Sequence, residues 1–388
     1  AYAGHQFGQF VPLLGDGRAL LLGDTAGYEI QLKGSGPTAF SRPGTDGVGA
    51  IGPMLREHLV SSFMHAVGVP TTRSLAVLST GGTVIRQQGA VPGGIVVRVA
   101  QSHLRVGTVQ YAATQSEELV AKVVAAAGFT DAETMLAEVT RRQFDLVAHW
   151  MRIGFVHGVM NTDNVALSGE TIDYGPCAFV DEFSLGAVFS SIDHAGRYAY
   201  GNQPAVLKWN LARFAETLLR LMAPTPDEAI AAASDVLATY EARYEHHFAT
   251  GMASKIGLTE AFSEPELVAD LLTLMRDHRA DWTGTFRALA DELRGDQVPI
   301  ISLMPREQIG PWLERWRREL ARLGREPGAV AEAMDTVNPV YIPRNHQVDA
   351  ALRAATDGDL EPFTRLMDPV THPFERRTEW AHFAAPAP

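Results

Sequence analysis

The spacing of apolar residues changes about a third of the way along the chain, and that change limits the folds open to it. Up to about residue 110 the apolar residues fall in short runs, "ALLLGD", "YEIQLKG", "SLAVLST" and "GIVVRVA", divided by Gly and Pro turns. Such runs predict strands. Among them, "IGPMLREHLVSSFMHAVGV" places Leu55, Leu59, Phe63 and Val67 at steps of four, the period of an amphipathic helix. From about residue 115 the helical period takes over. "SEELVAKVVAAAGF" and "AETMLAEVTRRQFDLVAHWMRIG" follow a Ser or Asp suited to an N-cap, and "DEAIAAASDVLATYEARYEHHF" and "EPELVADLLTLMRDHRADWTGTFRALADELRG" continue the pattern. The expected fold is α+β: a β-rich lobe over residues 1–110 with one embedded helix, then a larger helical lobe over 111–388. The closing "HFAAPAP" predicts a frayed tail.

With 388 residues, 46% of them hydrophobic, the chain can bury a core without covalent staples. Its net charge of -12 argues against a broad nucleic-acid or anionic-membrane surface, while a local basic pocket for a phosphate ester stays compatible with it. The single cysteine, Cys177, excludes an intramolecular disulfide and a thiolate zinc site, which suits a reducing compartment and predicts a cytoplasmic protein. Its apolar surroundings, "DYGPCAFVD", predict a buried and inert thiol. No run reaches the roughly 20 apolar residues of a membrane span. The abrupt opening on "AYAGHQFGQF", without an initiator Met, predicts a natural N-terminus further upstream.

The segment most suggestive of chemistry is "HGVMNTDNVALSGETIDYGP", residues 157–176. It predicts a polar loop, a short strand at "VAL", a turn, and a second strand ending in Asp173, the layout of a kinase catalytic loop followed by its metal-binding Asp-aromatic-Gly. Asn164, seven residues after His157, fits a metal-binding Asn, and Asp173 fits the metal-bridging carboxylate. The remaining parts of such a site have candidates upstream. Gly15 and Gly17, with Arg18 beside them, form a turn whose amides could approach a phosphate, although a Gly-Asp-Gly hairpin is also an ordinary turn. Lys33 ends a strand and Glu57 lies on the embedded helix, so an ion pair between them would form a clamp on nucleotide phosphates; a strand-edge lysine and a solvated glutamate fit as well. The glycine-rich stretch 33–52, with Asp46 and Gly47 at its middle, reads either as a loop over a nucleotide or as an inert flexible loop. Arg98 and Arg105 suit a polyphosphate and equally suit surface salt bridges.

One kinase part is missing. The aspartate that accepts the substrate proton should follow the opening His-Gly, and position 159 is Val. Either Asp163, just before Asn164, takes the proton from a different place, or transfer chemistry has been lost. The histidines His149, His157, His246 and His247 show no metal-ligand spacing.

Taken together, "AGHQFGQF", "LGDGRALLLGD", "QLKGSGPTAFSR", "DGVGAIGPMLREHL", "VRVAQSHLRVGT", "HGVMNTDN", "TIDYGPCAFVDEF" and "NPVYIPRNHQVDAAL" resemble the selenoprotein O family, the YdiU group of pseudokinase-fold proteins. The resemblance implies a protein-kinase-like bilobal fold that binds ATP in a flipped orientation and transfers AMP to Ser, Thr or Tyr hydroxyls of proteins. It implies that Gly15, Gly17 and Arg18 line the nucleotide, and that Lys33, Asp46, Gly47, Arg98 and Arg105 contact its phosphates or base. It further implies Asp163 as proton acceptor, Asn164 and Asp173 as ligands of Mg2+ or Mn2+, and Glu57 as the partner of Lys33. Many members end near a Cys or selenocysteine, whereas "ERRTEWAHFAAPAP" has none, so thiol control through that segment is not expected. Alternatives on the same motifs are uridylyl transfer from UTP, γ-phosphate transfer, and a non-catalytic nucleotide-binding module.

Overall fold

The computed structural model describes residues 1–87, 89–259, 264 and 266–387. A hairpin of β1 (Tyr2–Gln6) and β2 (Gln9–Gly15) opens the chain. A five-stranded antiparallel sheet follows, built from β3 (Ala19–Thr25), β4 (Tyr28–Lys33), β5 (Gly49–Ala50), β6 (Arg73–Arg86) and β7 (Gly89–Ala100), with α1 (Ile51–Ala66) inserted after β5. The remainder is mostly helical: α2 (Val106–Gln115), α3 (Glu117–Ala126), α4 (Ala132–Arg152), the two-residue strands β8 (Phe155–Val156) and β9 (Ala178–Phe179), α5 (Gln203–Met222), α6 (Pro226–Lys255), α7 (Glu266–Asp277) and α8 (Trp282–Leu293). Further helices run to the C-terminal end, and among the described residues none is long and apolar enough to cross a membrane. This α+β arrangement, sheet first and helices after, is consistent with two lobes.

The sequence periods account for what faces inward. Leu55, Leu59 and Phe63 of α1 are buried at their steps of four. On β7 the buried residues Val96, Arg98 and Ala100 alternate, and on β4 Gln31 and Lys33 share the inner face; Gln31 stands opposite Arg98 in the ladder. Two cations therefore point from the sheet toward α1, which carries Glu57.

Three expectations change. The runs "VAL" and "TIDYG" form no hairpin with each other: Val165 accepts from the Val106 amide, Leu167 donates to Leu104, and Thr171 bonds across to Pro70 and Thr72. Distant partners outbid the local turn. The long helical run after residue 264 divides into α7 and α8, because Arg279 adopts a left-handed φ of 51° and Asp281 caps the new helix by accepting from the Gly284 amide at 2.6 Å; Pro265, at the start of that run, lies outside the described residues. The tail is held as far as Ala384, whose carbonyl accepts from buried Arg344 at 2.9 Å, while residues 385–387 beyond it are exposed and Pro388 lies outside the described residues.

Cys177 is buried, and burial pushes its thiol up to about 12, so it is inert at neutral pH. A second buried titratable group closes α6. Lys255 Nζ donates 2.8 Å to Asn338 Oδ1 and stands 4.1 Å from the Phe286 ring centroid. Burial, with Arg152 nearby, lowers its pKa from 10.5 to about 7. The unfolded chain thus binds this proton more tightly than the folded one, and between these two values folding stability falls as pH falls. In Lys255→Met that dependence should vanish: urea unfolding should show wild-type stability dropping relative to the variant by up to about 1.4 kcal/mol per pH unit between about pH 10 and about pH 7.

Candidate active site

Five charged side chains from four parts of the chain meet where the sheet faces the helices. Lys33 Nζ donates 2.8 Å to Glu57 Oε2 and also pairs with Asp173 Oδ1. Arg98 donates from Nε to Glu57 Oε1 at 2.7 Å, from Nη2 to Asp173 Oδ1 at 2.6 Å, and from Nη1 to Gln31 Oε1 at 3.1 Å. Arg105 Nη1 reaches the other oxygen, Asp173 Oδ2, at 2.8 Å. Three cations surround two carboxylates, leaving one positive charge in excess. Burial alone would raise both carboxyls, but Lys33, Arg105 and Arg98 hold Asp173 well below the usual range, and Arg98 and Lys33 hold Glu57 low.

Asp173 sits at φ 66°, a left-handed backbone that non-glycine residues rarely adopt. Its neighbours fix that conformation. The Ile172 carbonyl meets buried His157 Nε2 at 2.9 Å, Trp150 Nε1 donates 2.9 Å to Thr171 Oγ1, and the Tyr174 hydroxyl is bonded to Thr71 Oγ1. His157 is thereby a structural residue of the loop.

Asp163 lies in the short 3-10 turn Thr162–Asn164. Arg105 Nη1 donates 2.9 Å to its carbonyl, and Gly107 lets the first turn of α2 press against it: a Cβ at residue 107 would stand 2.9 Å from Asp163 Cα and 2.6 Å from the Ala3 carbonyl oxygen. The carboxylate Oδ1 is buried without a hydrogen-bond partner. Burial raises its pKa to about 6, with Arg105 opposing and Asp173 adding to the rise. Asn164 Nδ2 donates 2.9 Å to the Val159 carbonyl, which leaves its amide oxygen as the donor atom for a ligand.

A cavity of about 360 Å3 joins these groups. Lys33, Arg105, Asp163, Asn164 and Asp173 line it, together with Gly17, Arg18, Arg42 and Thr45. Asp16 ties together the loop segments that carry Arg18 and Arg42. Its carboxylate accepts from the Arg18 amide at 2.9 Å, Thr38 Oγ1 at 2.6 Å and Ser41 Oγ at 2.7 Å, and these bonds keep its pKa low against the opposing effect of burial. Gly15, at φ 81°, packs against the same loop, since a Cβ there would stand 2.6 Å from the Arg42 nitrogen.

The candidates from the sequence divide into three groups. Gly17, Arg18, Lys33, Arg105, Asp163, Asn164 and Asp173 line the cavity. Glu57 and Arg98 stand behind it and act on it through Lys33 and Asp173, while Gly15 shapes its wall from outside the lining. Asp46 and Gly47 are not in the lining: the Asp46 carboxylate pairs with Arg86 at 2.8 Å, and Gly47 packs on Gly36. Sequence reasoning assigned no role to Tyr2, Gln6, Asp16, Arg42 or Asn161, which the fold brings to the cavity. The opening "AYAGHQFGQF" is the signal that could have found the first two.

Among the described residues no group of three or more His, Cys, Asp or Glu is arranged to hold a metal. Asn164 and Asp173 do offer hard oxygen donors in one cavity, a set that fits Mg2+ or Mn2+ when substrate phosphates complete the coordination.

A sheet-borne lysine clamped to a helix glutamate, excess positive charge, and oxygen donors around one cavity define an enzyme that handles a phosphate-bearing substrate. The chain belongs to the family described as protein adenylyltransferase SelO, whose model matches residues 1–371. It is 59% identical to the protein nucleotidyltransferase YdiU of Rhodococcus jostii strain RHA1, with all of this chain aligned to 79% of that protein. The YdiU proteins of Mycolicibacterium paratuberculosis and Cereibacter sphaeroides strain ATCC 17029 are each 50% identical, with 82% and 83% of their lengths covered. The resemblance seen in the motifs is thus a family membership, and the family is one of nucleotidyltransferases.

The charge cluster makes Arg98 a test of the site's construction. Arg98→Ala leaves Glu57 and Asp173 facing one another with less compensation in a buried setting. Chemical unfolding should show a loss of about 3–5 kcal/mol, and nucleotide affinity should fall as well, as Lys33 is drawn more tightly to the two carboxylates.

Proposed function

We propose that the chain is a protein adenylyltransferase of kinase-like, two-lobed build, with residues 1–110 forming the nucleotide-binding lobe and 111–388 the lobe that supplies the catalytic and metal loop. The observation that carries this reading is the placement of Asp163. Its buried, unpartnered Oδ1 belongs to a residue that shares a cavity with Asn164 and Asp173, while Val159, where a kinase would carry its base, cannot take a proton. The base has moved, and the substrate hydroxyl must approach differently.

The family resemblance implies a flipped ATP, and the displaced base is in keeping with it. With the α-phosphate toward Asp163, a Ser, Thr or Tyr hydroxyl of a protein substrate attacks the α-phosphorus; the new O–P bond forms as the bond to the β-phosphate oxygen breaks. Asp163 accepts the hydroxyl proton and pyrophosphate leaves with the electron pair. Lys33 and Arg105, held by Glu57 and Asp173, with Arg18 and Arg42 in the same lining, balance charge on the triphosphate and on the departing pyrophosphate. Asn164 and Asp173 would hold Mg2+ or Mn2+. A divalent ion bound there supplies Lewis-acid stabilisation of phosphate charge. The acidic surface and the buried lone thiol suit a cytoplasmic enzyme acting on proteins rather than on nucleic acid.

Incubation with ATP labelled at the α- or the γ-phosphate, with Mg2+ or Mn2+, tests the reading. Label should reach protein from the α-position alone. Asp163→Asn should reduce transfer about 10²–10⁴-fold with nucleotide affinity near wild type, and Asp173→Ala should abolish it. Label from the γ-position would make the protein a kinase, nucleotide binding without transfer would make it a binding module, and parallel reactions with α-labelled UTP decide the base.

A further inference from the structure

A larger cavity of about 700 Å3 opens beside the candidate active site. Phe7 from the β1–β2 turn, Ile192 and Arg197 from the segment after β9, and Ala205 and Trp209 from the start of α5 form its walls. Consecutive residues line the two cavities. Gln6 lines the first and Phe7 the second. The Phe7 amide donates to Asn161 Oδ1 at 3.3 Å and to the Tyr198 hydroxyl at 3.1 Å, and that hydroxyl donates 2.7 Å to Asn161, a residue of the first cavity.

The polar content of this groove is one-sided. Asp193 is committed to its own loop, accepting from the Arg197 and Tyr198 amides at 2.9 and 2.7 Å. Arg197 lies 4.8 Å from the Trp209 ring centroid, makes no ion pair among the described residues, and keeps a buried Nε without a hydrogen-bond partner. Ile192, in the lining, is 63% exposed, so an uncovered apolar side chain stands in the same groove as the arginine. An aromatic-backed guanidinium beside open apolar side chains is a recognition surface for a carboxylate next to a large hydrophobe.

We propose that this groove binds the acceptor protein as an extended segment, with an apolar side chain against Trp209 and Ile192 and an acidic side chain at Arg197, a few residues from the hydroxyl to be modified. The proposal rests on transfer to a protein hydroxyl. Two features select this occupant. Gln6 and Phe7 are consecutive and the Phe7 amide bonds to Asn161 of the first cavity, so the two cavities adjoin, and a hydroxyl delivered to the first carries the residues beside it toward the groove at about 3.3 Å per residue of extended chain. On a chain of net charge -12, an unpaired arginine is also a local attraction for an acidic segment that the rest of the surface repels.

Fluorescently labelled peptides, each with one Ser, Thr or Tyr and systematically varied neighbours, can be bound to the wild-type protein, Arg197→Glu and Ala205→Trp in the presence of ATP and Mg2+. Ala205 is an exposed helix position, so the tryptophan fills the groove without disturbing the core. Wild type should select peptides pairing a large apolar residue with Asp or Glu. Arg197→Glu should weaken those peptides about tenfold or more and turn selection toward Lys and Arg, and Ala205→Trp should weaken them whatever their charge, with ATP affinity unchanged in both. Absence of selection by wild type, or the same selection and affinity in both variants, overturns the groove. Binding is read apart from chemistry. Selected peptides that never receive α-label therefore count against adenylyl transfer alone, and label reaching selected and unselected peptides equally counts against the groove alone.

Discussion

Everything in the site depends on how five buried charges share one space. Taking Lys33, Arg98, Arg105, Glu57 and Asp173 out of water is expensive, and the arrangement persists because each carboxylate oxygen finds a cation in hydrogen-bond reach. The cluster also joins regions far apart in sequence. β4 and β7 supply Lys33 and Arg98, α1 supplies Glu57, and the residues at 105 and 173 lie beyond the sheet. By formal count one positive charge is left over, and Lys33 and Arg105 of the cluster face the cavity, an arrangement suited to an anion.

Arg105 shows how one residue propagates that arrangement. It precedes α2, where its amide donates 3.1 Å to Thr108 Oγ1, while its guanidinium holds Asp173 Oδ2, the Asp163 carbonyl, and a position 4.9 Å from the Tyr2 ring centroid. The proposed base, the proposed metal ligand and the N-terminal hairpin are therefore positioned by a single rigid fork. A lysine could match its charge but not its three simultaneous directions.

The parts legible in the sequence were those set by a local period. The steps of four on α1 placed Glu57 on a helix, but its pairing with Lys33 stayed one of two readings until the fold brought them to 2.8 Å, whereas the offset between Val159 and Asp163 could be read from loop spacing alone. The parts that were not legible rest on contacts between distant segments. "VAL" and "TIDYG" have strand composition, yet their backbone groups bond to residues 104–106 and 70–72. Asp46 sits at the centre of a glycine-rich loop, and only the fold reveals that Arg86 holds it outside the cavity lining. Asp16 was hidden between two glycines that drew attention to backbone freedom, although its carboxylate is what fastens the wall.

The N-terminal hairpin connects these strands of reasoning. Thr162, next to Asp163, accepts from the His5 amide at 2.7 Å and donates 2.6 Å to Gln110, whose Nε2 meets His5 Nδ1 at 2.9 Å. This small ring fastens the hairpin to the turn that carries Asp163. Asp163 itself is flanked by the hairpin and the first turn of α2: a Cβ at residue 4 would stand 3.4 Å from its amide nitrogen and one at residue 107 would stand 2.9 Å from its Cα. The proposed base is thus placed by two elements distant from its own loop, a constraint that loop spacing alone does not show.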